Sequence, residues 1–195
     1  MPFIAAEKVE LPQRTILSVE GRRGSGKSEF GLWGPAPVAY HRFDVASEGA
    51  LRKVRALRPG AIQCCTYDFE HPRTEKNERG QVQKFDKIVV EEAEHLYNEF
   101  VKDYRFALNN GFKSAVIDDG TTLWELFRVA RFGKIEQVPQ ERYGMINWEW
   151  KRMLKESLAA EVCLTVLHPT KEEWIKVQDE QGRWGSTKTG KLIMP

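Results

Sequence analysis

The stretch Gly21 to Ser28, GRRGSGKS, constrains this chain more than any other, because residue type and spacing together dictate a chemistry. It fits G-x-x-x-x-G-K-[ST], the Walker A phosphate-binding pattern, with Gly21, Gly26, Lys27 and Ser28 at the fixed places. The run before it, Thr15 to Glu20 (TILSVE), is short, apolar and β-branched and predicts a buried strand, while Lys27 to Trp33 can open a helix. Strand, loop, helix is the context the pattern requires. Glycines let the backbone bring its N–H groups close to an anion, and a helix start adds unpaired N–H groups and a partial positive charge. Gly21, Arg22, Arg23, Gly24, Ser25, Gly26, Lys27 and Ser28 therefore form the expected nucleotide-binding loop. Lys27 supplies a mobile cation for the β and γ phosphates, and the Ser28 hydroxyl is a hard oxygen suited to Mg²⁺. ATP and Mg²⁺ are the expected cofactors. The plainer alternative is a glycine-rich turn that caps a helix.

Composition narrows the class. At 195 residues with 41% hydrophobic, the chain can build one real core, expected as a single domain with a core over about 14–170 and a C-terminal hairpin and tail over 171–195. A formal net charge of +2 does not announce a nucleic-acid partner, so any such contact needs a local basic patch. Cys64, Cys65 and Cys163 are too few for a disulfide framework and lack C-x-x-C spacing; they read as reduced apolar fillers in a cytoplasmic protein. No apolar run reaches the roughly 18 residues of a membrane span, so no membrane partner is expected.

Along the chain, strands are expected at Val38 to Phe43, Ala61 to Tyr67, Ala115 to Ile117 and Val162 to Leu167, and helices through Leu51 to Leu57, Asp86 to Asn109, Thr121 to Phe132 and Met145 to Ala160. Phe69 to Lys84 reads as a mobile polar loop and Gly133 to Gly144 as a polar connection. Glu173 to Val177 and Arg183 to Gly185, about a turn at Asp179 to Gly182, suggest a β-hairpin. Most tryptophans fall at core spacing. His41, His71 and His95 read as ordinary strand, loop and helix residues.

The stretch KSAVIDDG carries the second chemical signal. A short buried strand ending in Asp118 fits the Walker B pattern, in which an aspartate beside the phosphate loop holds the water shell of Mg²⁺. Buried strands also end in Asp at ordinary turns. Its place after a good phosphate loop, with strands and helices alternating between, favours the metal role.

These motifs in this order resemble the RecA-like P-loop NTPases, and more closely the small phage-encoded RecA-like ATPases of single-strand annealing and recombination. The likeness runs from Arg14 to Thr170 through the GRRGSGKS loop, the VID strand, the helix segment Asn147-Trp148-Glu149-Trp150 and a strand-end histidine in LTVLHPT. It implies an α/β fold with a mostly parallel five-stranded central sheet flanked by helices, ATP hydrolysis, a host-cytoplasmic location, homo-oligomers on single-stranded DNA, and single-strand-binding or recombination partners. By position it makes Glu48 or Asp44 the base that orients the attacking water, with Glu48 favoured and Asp119 a third candidate. It makes His168 the sensor of the γ phosphate.

The same resemblance puts a DNA-binding loop after the sensor strand, where Trp174 and Trp184 lie with Lys171, Lys176, Arg183, Lys188 and Lys191. Aromatic and basic residues together suit single-strand binding. Lys188 and Lys191 are also expected to reach a neighbouring subunit's γ phosphate. The competing readings are a small-molecule or nucleotide kinase, with Gly133 to Gly144 as its lid, and a nucleotide-held binding switch with little hydrolysis.

Overall fold

The computed structural model describes residues 14–43, 45–69, 87–133, 143–178 and 184–193. Asp44, His71, most of the expected loop to Lys84 and most of the connection before Gly144 lie outside them.

Apolar runs form the parallel strands β1 (Ile16–Gly21), β2 (Val38–Arg42), β3 (Ile62–Thr66), β4 (Ser114–Asp118) and β5 (Cys163–Pro169), which build one five-stranded sheet in the order β1-β5-β4-β2-β3. The central strand β4 is buried at every position, as a parallel strand covered on both faces must be. In contrast, β1 pairs only with β5 among the described residues and is half-exposed along its length. Its apolar sequence predicts a buried strand. The insertion of β5, the last strand of the sheet in sequence, puts it at the edge instead.

Helices α1 (Lys27–Leu32), α2 (Glu48–Leu57), α3 (Lys87–Asn109), α4 (Gly120–Phe132) and α5 (Tyr143–Ala159) flank the sheet. On α3 the buried row is Ala93, Tyr97, Phe100, Tyr104 and Ala107, at helical spacing; Leu96 and Leu108 sit at its margin. Ala93 to Tyr104 of this row join Phe127, Leu123 and Ile146 of α4 and α5 against Ala115, Ile117 and Leu164 of the sheet, while Ala107 packs with Ala39 and Phe112. Tyr40, Val116 and Leu167 carry a second core on the opposite side, covered by Leu32 of α1 and by Leu51 and Val54 of α2. Each fully buried Leu, Ile or Val contributes about 1.5–3 kcal/mol of transfer free energy. Helix α3 stops where Asn109 and Asn110 turn their amides back onto the carbonyls of Arg105 and Phe106 and Gly111 takes a φ of +78°.

Trp124 and Trp150 pack against the core. Trp33 and Trp148 instead stand about half exposed at 49% and 59%, each beneath an arginine, Arg58 and Arg152. A cation over the ring makes that exposure tolerable. The three cysteines are free and half-buried.

Beyond β5 the chain forms a two-stranded antiparallel hairpin of β6 (Lys171–Gln178) and β7 (Trp184–Ile193). The expected hairpin is present and longer than its sequence pattern. Its register pairs Trp174 with Lys188, Lys176 with Ser186 and Gln178 with Trp184, and successive residues alternate between faces.

Candidate functional site

In a parallel sheet all strands end on the same edge, and ligand sites gather there. Here that edge carries the glycine-rich loop after β1, Asp118 at the end of β4 and His168 near the end of β5. A cleft of ≈ 510 Å³ opens at this edge, lined by the loop from Arg23 to Ser28, by Asp118 and Asp119, and on the far side by Ala46, Ser47 and Lys53; His168 is not part of the lining, though its neighbour Pro169 is.

The loop conformation follows from its glycines. Gly24 and Gly26 adopt φ of +79° and +87°, values that other residues rarely take, and Gly26 is the N-cap of α1. The Gly26 carbonyl accepts from the Phe30 N–H at 2.9 Å, which starts the helix. Lys27 curls back over the loop: its Nζ donates to the carbonyls of Gly21 at 2.7 Å and Arg22 at 2.9 Å. The ammonium is thereby held over the glycine loop by two backbone carbonyls.

Ser28 and Asp118 meet. The Ser28 hydroxyl donates to Asp118 Oδ2 at 2.6 Å, and the Tyr40 hydroxyl donates to the same oxygen at 2.6 Å. Asp118 is 4% exposed, so its charge is held in the wall of the cleft by hydroxyl donors rather than by water. Burial first, and then the Asp118 carboxylate, push the Tyr40 phenol far above its ordinary value, so it remains a donor. Ser47 bonds the same phenol from the cleft's far wall. The donor set of one carboxylate and one hydroxyl fits Mg²⁺, which takes one or two protein oxygens and keeps the rest of its shell for water and phosphate. Among the described residues no group of three or more His, Cys, Asp and Glu side chains forms a metal cage.

Asp119 lines the cleft and caps α4, its Oδ1 accepting from the Thr122 N–H at 2.5 Å. The peptide between Asp118 and Asp119 is cis. His168 is level with Glu20 in the β1–β5 register and lies against Gly120, where an added Cβ would come within 2.7 Å of its ring. Only glycine fits at that helix start. Burial pushes the His168 imidazole below its ordinary value, opposed by the carboxylates of Glu20 and Asp119. The ring is thus a neutral hydrogen-bonding group at neutral pH.

Glu48 stands apart from these residues. It begins α2 and pairs with Arg52 one turn on at 2.6 Å, while its neighbours Ser47 and Gly49 line the cleft. Three contributors carry no local sequence signal: Tyr40, Ser47 and Lys53. Tyr40 is a strand residue whose partner lies 78 residues away, and Lys53 is one cation among several on α2.

His41 is not part of the cleft. It is buried among Tyr67, Phe100 and Tyr104, with Nδ1 3.1 Å from the Tyr67 hydroxyl, which in turn donates to Asp103. No described helix is long and apolar enough to cross a membrane. A scan against protein-family models matches none, and a comparison with curated proteins finds none similar.

Proposed function

We propose that this protein is a Mg²⁺-dependent ATPase with a RecA-like core that works on single-stranded DNA as an oligomer. The observation that carries the reading is the 2.6 Å contact between Ser28 and Asp118 inside the cleft that Lys27 and the glycine loop line. Two motifs far apart in sequence meet where a metal-bound triphosphate needs them. Lys27 exchanges the Gly21 and Arg22 carbonyls for the β and γ phosphates, and the loop N–H groups take the phosphate oxygens. Mg²⁺, held by Ser28 and through water by Asp118, would neutralise charge on the β and γ phosphates.

Hydrolysis further requires an oriented water. Of the three candidate acids, Asp119 lines the cleft, whereas Glu48 stands outside its lining and Asp44 lies outside the described residues. Asp119 keeps Oδ2 free of the helix cap, so the assignment of the base goes to it. His168, beside Asp119, supplies a neutral N–H donor toward the γ phosphate.

The DNA role rests on the sequence of the hairpin, whose paired strands carry Trp174, Lys176, Trp184 and Lys188, the composition of a stacking platform with backbone-neutralising charge. The discriminating experiment is phosphate release from ATP with and without single-stranded DNA and with no other acceptor than water. DNA-stimulated release supports the reading. Transfer only to an added acceptor would indicate a kinase, and tight binding without turnover a switch.

A further inference from the structure

The cleft has a second cation besides the loop residues. Lys53 lines it from α2 and reaches across to Glu29, the residue after Ser28, with Nζ 2.7 Å from Oε1 and 3.0 Å from Oε2. The ion pair therefore ties the two walls of the cleft together. Its side chains are 59% and 33% exposed, and a pair so open to water adds little to stability. Lys53 can change partners at small cost.

Its direction of approach is set by the sheet. Helix α2 follows β2, and β2 lies beyond β4 from β1 in the order β1-β5-β4-β2-β3. Lys53 thus enters from the side of Asp118, opposite the glycine loop. A nucleotide with its β phosphate in the loop and its metal at Ser28 and Asp118 would have its terminal phosphate within the space that Lys53 lines.

We infer that Lys53 is the cation that recognises the terminal phosphate, leaving Glu29 for it when a triphosphate occupies the cleft and staying on Glu29 when a diphosphate does. This deepens the nucleotide-site reading and rests on it. It gives the site a second charge in cis for the γ phosphate beside Lys27, on the wall across from the loop. Glu29 acts as a placeholder: its carboxylate keeps the ammonium at the cleft wall, and the more highly charged phosphate displaces it.

The test is calorimetric binding of Mg·ATP and Mg·ADP to the whole protein and to the Lys53→Ala, Lys53→Arg, Glu29→Gln and Lys27→Ala variants. Lys53→Ala should weaken ATP about tenfold, the low end for a charge-assisted hydrogen bond, and change ADP by no more than about twofold. Lys53→Arg should keep most of the ATP affinity. Glu29→Gln breaks the same ion pair but leaves the cation, so it should bind ATP at least as tightly as wild type. Equal weakening of ATP by Lys53→Ala and Glu29→Gln would make the pair a mere tie between helices and overturn the inference. So would equal losses of ATP and ADP in Lys53→Ala, or no loss at all, while Lys27→Ala still abolishes binding. Failure of the wild-type protein to bind either nucleotide would instead sink the nucleotide-site reading and this inference with it.

Discussion

Ser28 donates its hydroxyl proton to Asp118 at 2.6 Å across 90 residues of chain, and this contact joins the glycine-rich loop to the centre of the sheet. Nothing local requires it. It exists because β5 separates β1 from β4, so α1, leaving the loop, crosses toward β4 and lays its first turn beside the strand's last residue.

Asp118→Asn should lower Mg²⁺-dependent ATP hydrolysis by about a hundredfold or more while reducing nucleotide affinity far less, since the loop and Lys27 remain. Steady-state rates alongside equilibrium ATP binding at several Mg²⁺ concentrations check this. Unchanged turnover at limiting Mg²⁺ would move the metal to other residues.

Tyr40 is a positioning residue: buried on β2, it donates to the same Asp118 oxygen as Ser28. Tyr40→Phe removes one hydroxyl and little volume, so the fold should persist. The expected effect is a several-fold rise in the Mg²⁺ concentration for half-maximal activity, of the order of one lost charge-assisted hydrogen bond, with a smaller change at saturating Mg²⁺. A purely structural tyrosine would lower the melting temperature and leave the Mg²⁺ titration in place.

The acid that orients water can be separated by two mild substitutions. Asn caps helices as well as Asp does, so Asp119→Asn preserves the start of α4 while removing the charge. It should reduce turnover by about a hundredfold, whereas Glu48→Gln, which loses an exposed pair with Arg52, should stay within about threefold of wild type. The reverse order would return the base to Glu48.

His41 should contribute to the loss of stability in acid. Burial lowers its pKa from 6.5 to about 4, so between those values the unfolded chain binds a proton that the folded one refuses. Stability should therefore be independent of this group above about pH 6.5 and fall as pH drops toward 4, by roughly 3 kcal/mol in all. Urea unfolding from pH 7 to 4 measures the slope. A His41→Phe protein that is folded at pH 7 should lose this part of the slope; an unchanged slope would assign it to other groups.

The sequence made the loop, the strands and Asp118 legible because each is written in adjacent residues: fixed glycines, an apolar run, an acid at its end. Strand order was not, since nothing in TILSVE distinguishes an edge from a centre. Tyr40 and Lys53 escaped for the same reason, as their roles arise from partners on other elements. Glu48 carries the acid expected near the second strand, yet Arg52 sits four residues on, at the spacing where helical ion pairs form, and competes for it. Trp33 and Trp148 fall at helical spacing, but an arginine above each ring offsets its exposure.

The most direct measurement is equilibrium binding of ATP to the wild-type and Lys27→Ala proteins, each with Mg²⁺ and with a chelator. The wild-type chain should bind in a Mg²⁺-dependent way and Lys27→Ala at least about a hundredfold more weakly, since the lysine that meets the β and γ phosphates is gone. Equal affinity of the two proteins, or no binding by either, would contradict it.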